Sequence, residues 1–259
     1  MNYFGDEKNI ISYLHMHCSK VEVLTDIDEL AAKTIELILN PQKWSLWIDT
    51  ASKSDPPPDF YCPTEQIMME VMRIDDHSFI GKKGGIINET NARESQIQKE
   101  LRQLFPDTRH IIVNAITDLP GKDDHNYSRY LASIKRVTAQ HIKHINQYRN
   151  NHPGYKLVFL IFDESSAYCE TDNQTVIQNG IKKDQPIWGK RHFFFADKAM
   201  LESFRDVDID YLLWFAPFKR YFNVDETEQL PSAWFYDLKK IPWNELIEYQ
   251  STDMVSMEE

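Results

Sequence analysis

Two nearly unbroken apolar runs, "YKLVFLIFDE" at 155–164 and "IDYLLWFAPF" at 209–218, limit the fold more than any other feature. A strand with one wet face alternates apolar and polar residues, whereas a continuous run needs cover on both faces. Such strands sit inside a sheet packed between helices. Helices are present to do the covering. Residues 26–40 carry Ile27, Leu30, Ala31, Ile35, Ile38 and Leu39 at helical spacing, with Thr25 and Asp28 forming a capping pattern. A second helix is expected over 91–105, stopped by Pro106, and a long third one over 127–151, with Leu131, Ile134, Val137, Ile142, Ile145 and Tyr148 on its stripe. The expected fold class is α/β, a mixed central sheet flanked by helices.

Shorter segments fill in the order. "KWSLWIDT" (43–50), "DFYC" (59–62), "QIMMEVMRI" (66–74), "RHIIVNAI" (109–116) and "KRHFFFAD" (190–197) read as strands, "KAMLESF" (198–204) as a helix, and "SKSDPPP" and "GKKGG" as loop and turn. Residues 163–187 read as a polar excursion. From about Tyr221 the prolines and aromatic residues suggest irregular packing before the tail "STDMVSMEE" frays. The 259 residues, 42% of them hydrophobic, suffice for one core, so a single domain over 1–259 is expected. It divides into a core at 25–116, a helix and strand extension at 117–220, and an irregular segment at 221–259.

Charge and cysteine usage restrict the partners. No secretory segment and no run long enough to cross a bilayer is found, so a soluble, cytoplasmic protein without membrane contact is expected. Cys18, Cys62 and Cys169 are too few and too scattered for a disulfide framework or a CxxC zinc cluster. A net charge of −11 argues against nucleic acid, but its distribution argues the other way. Residues 125–162 contain no Asp or Glu, with six Lys and Arg and four His, whereas 197–259 hold fourteen acids against six Lys and Arg. Arg129, Arg136 and Lys143 recur every seven residues opposite the apolar stripe. They form either an ordinary solvated face or a ridge that neutralises the phosphates of DNA or RNA.

The stretch "PPPDFYCPTEQIMMEVMRI" (56–74) poses the sharpest question, because Glu70 interrupts an apolar strand. It either points to water from a one-sided strand or meets Asp59 from the neighbouring strand. With Pro58-Asp59 opening the second strand, Glu70 in the third, and the order helix, three strands, helix, strand over about 25–116, the chain resembles the PD-(D/E)XK, restriction-endonuclease-like nuclease superfamily. That resemblance implies a restriction-endonuclease-like core with added C-terminal strands and helices. It also implies Asp59 and Glu70 as catalytic and metal-holding acids, Mg2+ as the cofactor, and Glu36 as an additional acid from the first helix. The superfamily's Lys, two residues after the second acid, is Met72 here. Glu70 and Met72 share a strand face and Arg73 points away, so Arg73 does not replace it. Gln96 or Lys99 on the following helix would be the substitutes.

Other motifs carry less. "LVFLIFDE" ends in Asp163 and Glu164 like a Walker B strand, but no GxxxxGK[ST] accompanies it, so a strand running into a polar loop explains it better. "HMHC" (15–18) reads as a partly buried helix with incidental His. Two functions follow. One is a magnesium-dependent nuclease hydrolysing phosphodiester bonds. The other is a catalytically inactive nuclease-like fold serving as a protein-interaction module, favoured by Met72, the overall acidity and the aromatic C-terminal third.

Overall fold

The computed structural model describes residues 6–50, 58–77, 79–80, 86–87, 89–106, 125–180, 189–221 and 230–257. Its elements in chain order are α1 (Glu7–His17), β1 (Glu22–Val23), α2 (Glu29–Leu39), β2 (Ile48–Asp49), β3 (Phe60–Cys62), β4 (Ile67–Ile74), β5 (Phe79–Ile80), β6 (Ile86–Ile87), α3 (Glu89–Leu104), α4 (Tyr127–Ile142), α5 (Ile145–Asn151), β7 (Lys156–Asp163), β8 (Tyr168–Glu170), α6 (Gln174–Asn179), β9 (Lys190–Arg191), α7 (Lys198–Leu201), β10 (Tyr211–Phe215), β11 (Ala233–Asp237) and β12 (Met254–Ser256). Among the described residues, no helix is long and apolar enough to cross a membrane.

The main sheet has seven strands in the order β1-β11-β10-β7-β4-β3-β2. Its centre is parallel, with Val71 beside Leu160 and Leu160 beside Leu213. β2, β3 and β4 form an antiparallel meander at one side, and β11 runs antiparallel to β10 at the other. This is a mixed sheet flanked by helices.

The unbroken apolar runs divide between two cores. On one face Met68, Met72, Phe159, Ile161, Leu212 and Trp214 pack with Tyr130, Ile134 and Val137 of α4. On the other face Met69, Val71, Leu160, Phe162, Leu213 and Phe215 pack with Ile10, Ile11 and Leu14 of α1 and Ala31, Leu37 and Ile38 of α2. Each fully buried Leu, Ile or Phe contributes roughly 1.5–3 kcal/mol relative to exposure, so two-sided burial explains why these strands tolerate no alternation.

Several sequence expectations shift. The helix expected over 26–40 begins at Glu29, because Asp28 is its cap, accepting the Ala31 N–H at 2.8 Å. Thr25 is not part of the cap, since its hydroxyl accepts the Asp237 N–H at 3.0 Å. Half of the strand expected over 43–50 belongs to a 3-10 helix, Pro41–Leu46, capped by Asn40, and only Ile48–Asp49 pairs. The helix expected over 127–151 breaks at Lys143–His144 into α4 and α5. "KRHFFFAD" gives a two-residue strand followed by a 3-10 turn at Phe194–Ala196. The segment after Tyr221 is more regular than expected. β11 is inserted between β1 and β10, and β12 pairs with β8, burying Val255 and Met257. The strand expected at 109–116 and the "GKKGG" turn lie outside the described residues. The parallel neighbour of β4 is β7, with β3 on its other side.

Candidate functional site

The β3–β4 hairpin fixes the two acids singled out by sequence. Phe60 lies opposite Met69, so one step outward Asp59 faces Glu70. The Asp59 N–H donates to Glu70 Oε2 at 3.3 Å, and the Val71 N–H donates to Asp59 Oδ2 at 2.8 Å. Glu70 is buried on the α4 face with Met68 and Met72, while the Arg73 guanidinium bonds Glu164 at 2.7 Å. The hydrogen-bond partner of Glu70 comes from α4 instead. His141 Nδ1 lies 2.6 Å from Glu70 Oε1, and the Tyr148 hydroxyl of α5 also bonds Glu70.

This pair is electrostatically short of positive charge. Burial, and then the Glu70 charge beside it, push the Asp59 carboxyl up to about 8, against the pull of the Val71 N–H; Glu7 of α1 adds a smaller push. Burial and Glu70 also hold the Tyr148 hydroxyl well above its ordinary value. The His141 side chain keeps 26% of its surface exposed and that of Glu70 7%, with Asp59 half-buried beside them.

The remaining predicted residues lie elsewhere. Glu36 is exposed and bonded to Lys43 at 2.7 Å, so it sits in a surface ion pair. Gln96 bonds Glu100 on the exposed side of α3, and Lys99 is exposed. Lys143 is exposed at the end of α4, Arg129 is half-buried in its first turn, and Arg136 is half-buried with a guanidinium nitrogen 3.3 Å from Ser133 Oγ. Two other cations of the acid-free stretch are neutralised from afar. Arg149 bonds Asp208 and Asp210, and Lys156 bonds Asp210 at 2.9 Å.

A second constellation lies just beyond the C-terminal end of β4. Asp76, His77 and His125 bring one ligand atom each to within 4.8 Å of one another, a cluster capable of coordinating a divalent metal ion. Asp76 Oδ1 is 3.1 Å from His125 Nδ1 and 3.7 Å from His77 Nε2. Its Oδ2 accepts the Ser166 N–H at 3.0 Å, the Ser166 hydroxyl at 2.7 Å and the Tyr168 hydroxyl at 2.5 Å. Burial pushes the Asp76 carboxyl up, but the His125 hydrogen bond, the charges of His125 and His77, and the Tyr168 hydroxyl together hold it well below the usual carboxylate range.

Beside it lies a buried polar network. Asp163 accepts from the Tyr130 hydroxyl, from Trp214 Nε1 at 2.9 Å, and from the N–H and hydroxyl of Ser165, with Lys219 Nζ at 3.4 Å. Asp197 accepts from Tyr127 and His192 at 2.5 and 2.8 Å. Asp163 thus ends its strand inside a network, not in a Walker-type site.

Sequence reasoning missed His141, although its acid-free stretch was conspicuous for histidines. It also missed Asp76, His77 and His125, whose separation gives no recognisable ligand spacing. Comparison with protein-family models, curated proteins and solved structures found no match.

Proposed function

We propose that the chain is a magnesium-dependent nuclease that hydrolyses phosphodiester bonds in nucleic acid, with Asp59 and Glu70 as its metal-holding acids. The observation that carries this is the juxtaposition of a buried and a half-buried carboxyl group on neighbouring strands, with Asp59 raised to about 8. Two carboxylates crowded together favour a shared proton or a bound cation. Their donor atoms are hard oxygens, the set that suits Mg2+ or Mn2+ completed by water and phosphate oxygens. A divalent ion there would offset phosphate charge and polarise a phosphoryl oxygen.

The chain's own groups supply the rest. Glu70 orients His141 through Nδ1, which leaves Nε2 as the atom that accepts a proton from the attacking water. His141 thereby takes on work for which the resembled superfamily uses the Lys absent at Met72. Arg129, Arg136 and Lys143 on α4 neutralise flanking phosphates.

Calorimetric titration of Mg2+ or Mn2+ against wild type and Asp59→Ala/Glu70→Ala tests the assignment. Binding that disappears in the double variant, together with nuclease activity lost in His141→Gln, is the expected result. Equal binding by both proteins would move the ion elsewhere. The alternative, an inactive fold kept as a protein-interaction module, draws on Met72, which lies in the apolar core with 1% of its surface exposed. It predicts no cleavage of DNA or RNA under any divalent ion.

A further inference from the structure

We propose that Asp76, His77 and His125 form a second metal site, selective for a zinc-class transition ion, that ties the chain just after β4 to the chain just before α4. The site stands apart from the Asp59–Glu70 pair and does not depend on that pair's function.

Donor chemistry comes first. Two imidazole nitrogens and one carboxylate oxygen suit Zn2+, Co2+ or Ni2+, whereas Mg2+ prefers oxygen ligands alone. Geometry agrees. Ligand atoms around a tetrahedral ion with bonds of about 2.0–2.1 Å stand roughly 3.4 Å apart. The two separations from Asp76 Oδ1, 3.1 Å to His125 and 3.7 Å to His77, bracket that value. The histidine rings meet with centroids 4.4 Å apart and planes at 59°, so their nitrogens converge without stacking.

Outer partners then make a built site of the cluster. Three donors on Asp76 Oδ2 hold the carboxylate so that Oδ1 alone faces the histidines, as a monodentate ligand requires. Ser166 is braced in turn by the Ser256 hydroxyl at 3.1 Å. The side chains of His77 and His125 retain 18% and 12% of their surface, which gives an ion a way in.

Position suggests the role. His77 follows β4 by three residues and His125 precedes α4 by two, so the ion would join positions 48 residues apart in sequence, one beside the sheet and one at the start of a helix packed on it. Linking positions so far apart in sequence narrows the unfolded ensemble and couples ion binding to folding.

The test uses tag-free, chelator-treated full chain, titrated with Zn2+ by calorimetry and with Co2+ by visible absorbance, alongside thermal melts. The expected result is an equivalent of Zn2+ that persists in Asp59→Asn/Glu70→Gln, that raises the melting temperature, and that Mg2+ does not displace. His77→Gln and His125→Gln, checked for folding by circular dichroism, should each weaken that binding by more than tenfold. Tyr168→Phe, which removes one donor from Asp76, should weaken it by about 10–100-fold. Unchanged Zn2+ affinity in both histidine variants would overturn the proposal, as would a wild type with neither a Co2+ band nor a thermal shift. Loss of Zn2+ only in Asp59→Asn/Glu70→Gln would place the ion at the other site and also overturn it.

Discussion

The Asp59–Glu70 pair and the Asp163 network both bury carboxylates, yet they are built on opposite principles. Asp163 has a donor for each lone-pair direction and a buried ammonium within 3.4 Å. Asp59 and Glu70 have two backbone N–H groups, one imidazole and one phenol between two acids. A buried charge is tolerable when it is fully hydrogen-bonded and paired, and costly when it is not. The first arrangement therefore holds the fold together. The second is tenable because Asp59 can take up a proton or share a cation, which is the property a metal-dependent site needs.

The contrast breaks most visibly on removal of one acid. Asp163→Ala leaves the Lys219 ammonium, whose side chain is 2% exposed, without its counter-charge and is expected to cost about 3–5 kcal/mol in urea unfolding. Asp59→Asn relieves like-charge crowding and should be neutral or stabilising in the metal-free protein. Comparable destabilisation by both would erase the distinction.

Titration sharpens it next. Because the folded-state carboxyl of Asp59 rises from 3.8 to about 8, the folded chain holds a proton that the unfolded chain releases. Metal-free stability should therefore fall as pH climbs from about 4 through about 8, and Asp59→Asn should flatten that slope. Divalent-ion binding displaces the proton, so Mn2+ affinity should strengthen by about tenfold per pH unit below about 8 and level off above it. A calorimetric series over pH decides this.

Smaller effects concern the surface. Replacing Arg129, Arg136 and Lys143 together by Gln should lower the salt slope of nucleic-acid binding by up to about 3, one for each phosphate that is no longer neutralised. An unchanged slope would remove α4 from the interface. Glu36→Gln breaks only the exposed pair with Lys43 and should shift neither the unfolding midpoint nor ion affinity measurably.

What the sequence made legible followed from local pattern. β4, β7 and β10 are readable because apolar runs covered on both faces have few alternatives. Asp59 opposite Glu70 is readable because a short hairpin sets its own register. Other features depend on partners far along the chain. His141 reaches Glu70 across 71 positions, and His125 reaches Asp76 across 49, so neither pairing leaves a spacing signal. β11 is hidden because "AWFYD" sits among prolines and polar residues. Its strand form comes from pairing with β10 on one side and β1 on the other. Trp44 and Leu46 looked like strand residues, but Asn40 and Pro41 start a 3-10 turn before pairing can begin.

The placement of β1 has a consequence for how the molecule is made. Glu22 and Val23 pair with Trp234 and Phe235, and Thr25 accepts a hydrogen bond from Asp237, 212 positions away. β4 likewise waits for β7, and β7 for β10. A ribosome must deliver most of the chain before the sheet can close, so folding is dominated by distant pairings and is slow for a protein of this size. Until β11 arrives, the flank of β10 that it will cover is an open, wholly apolar strand edge. N-terminal fragments ending before residue 233 should therefore aggregate where the full chain does not.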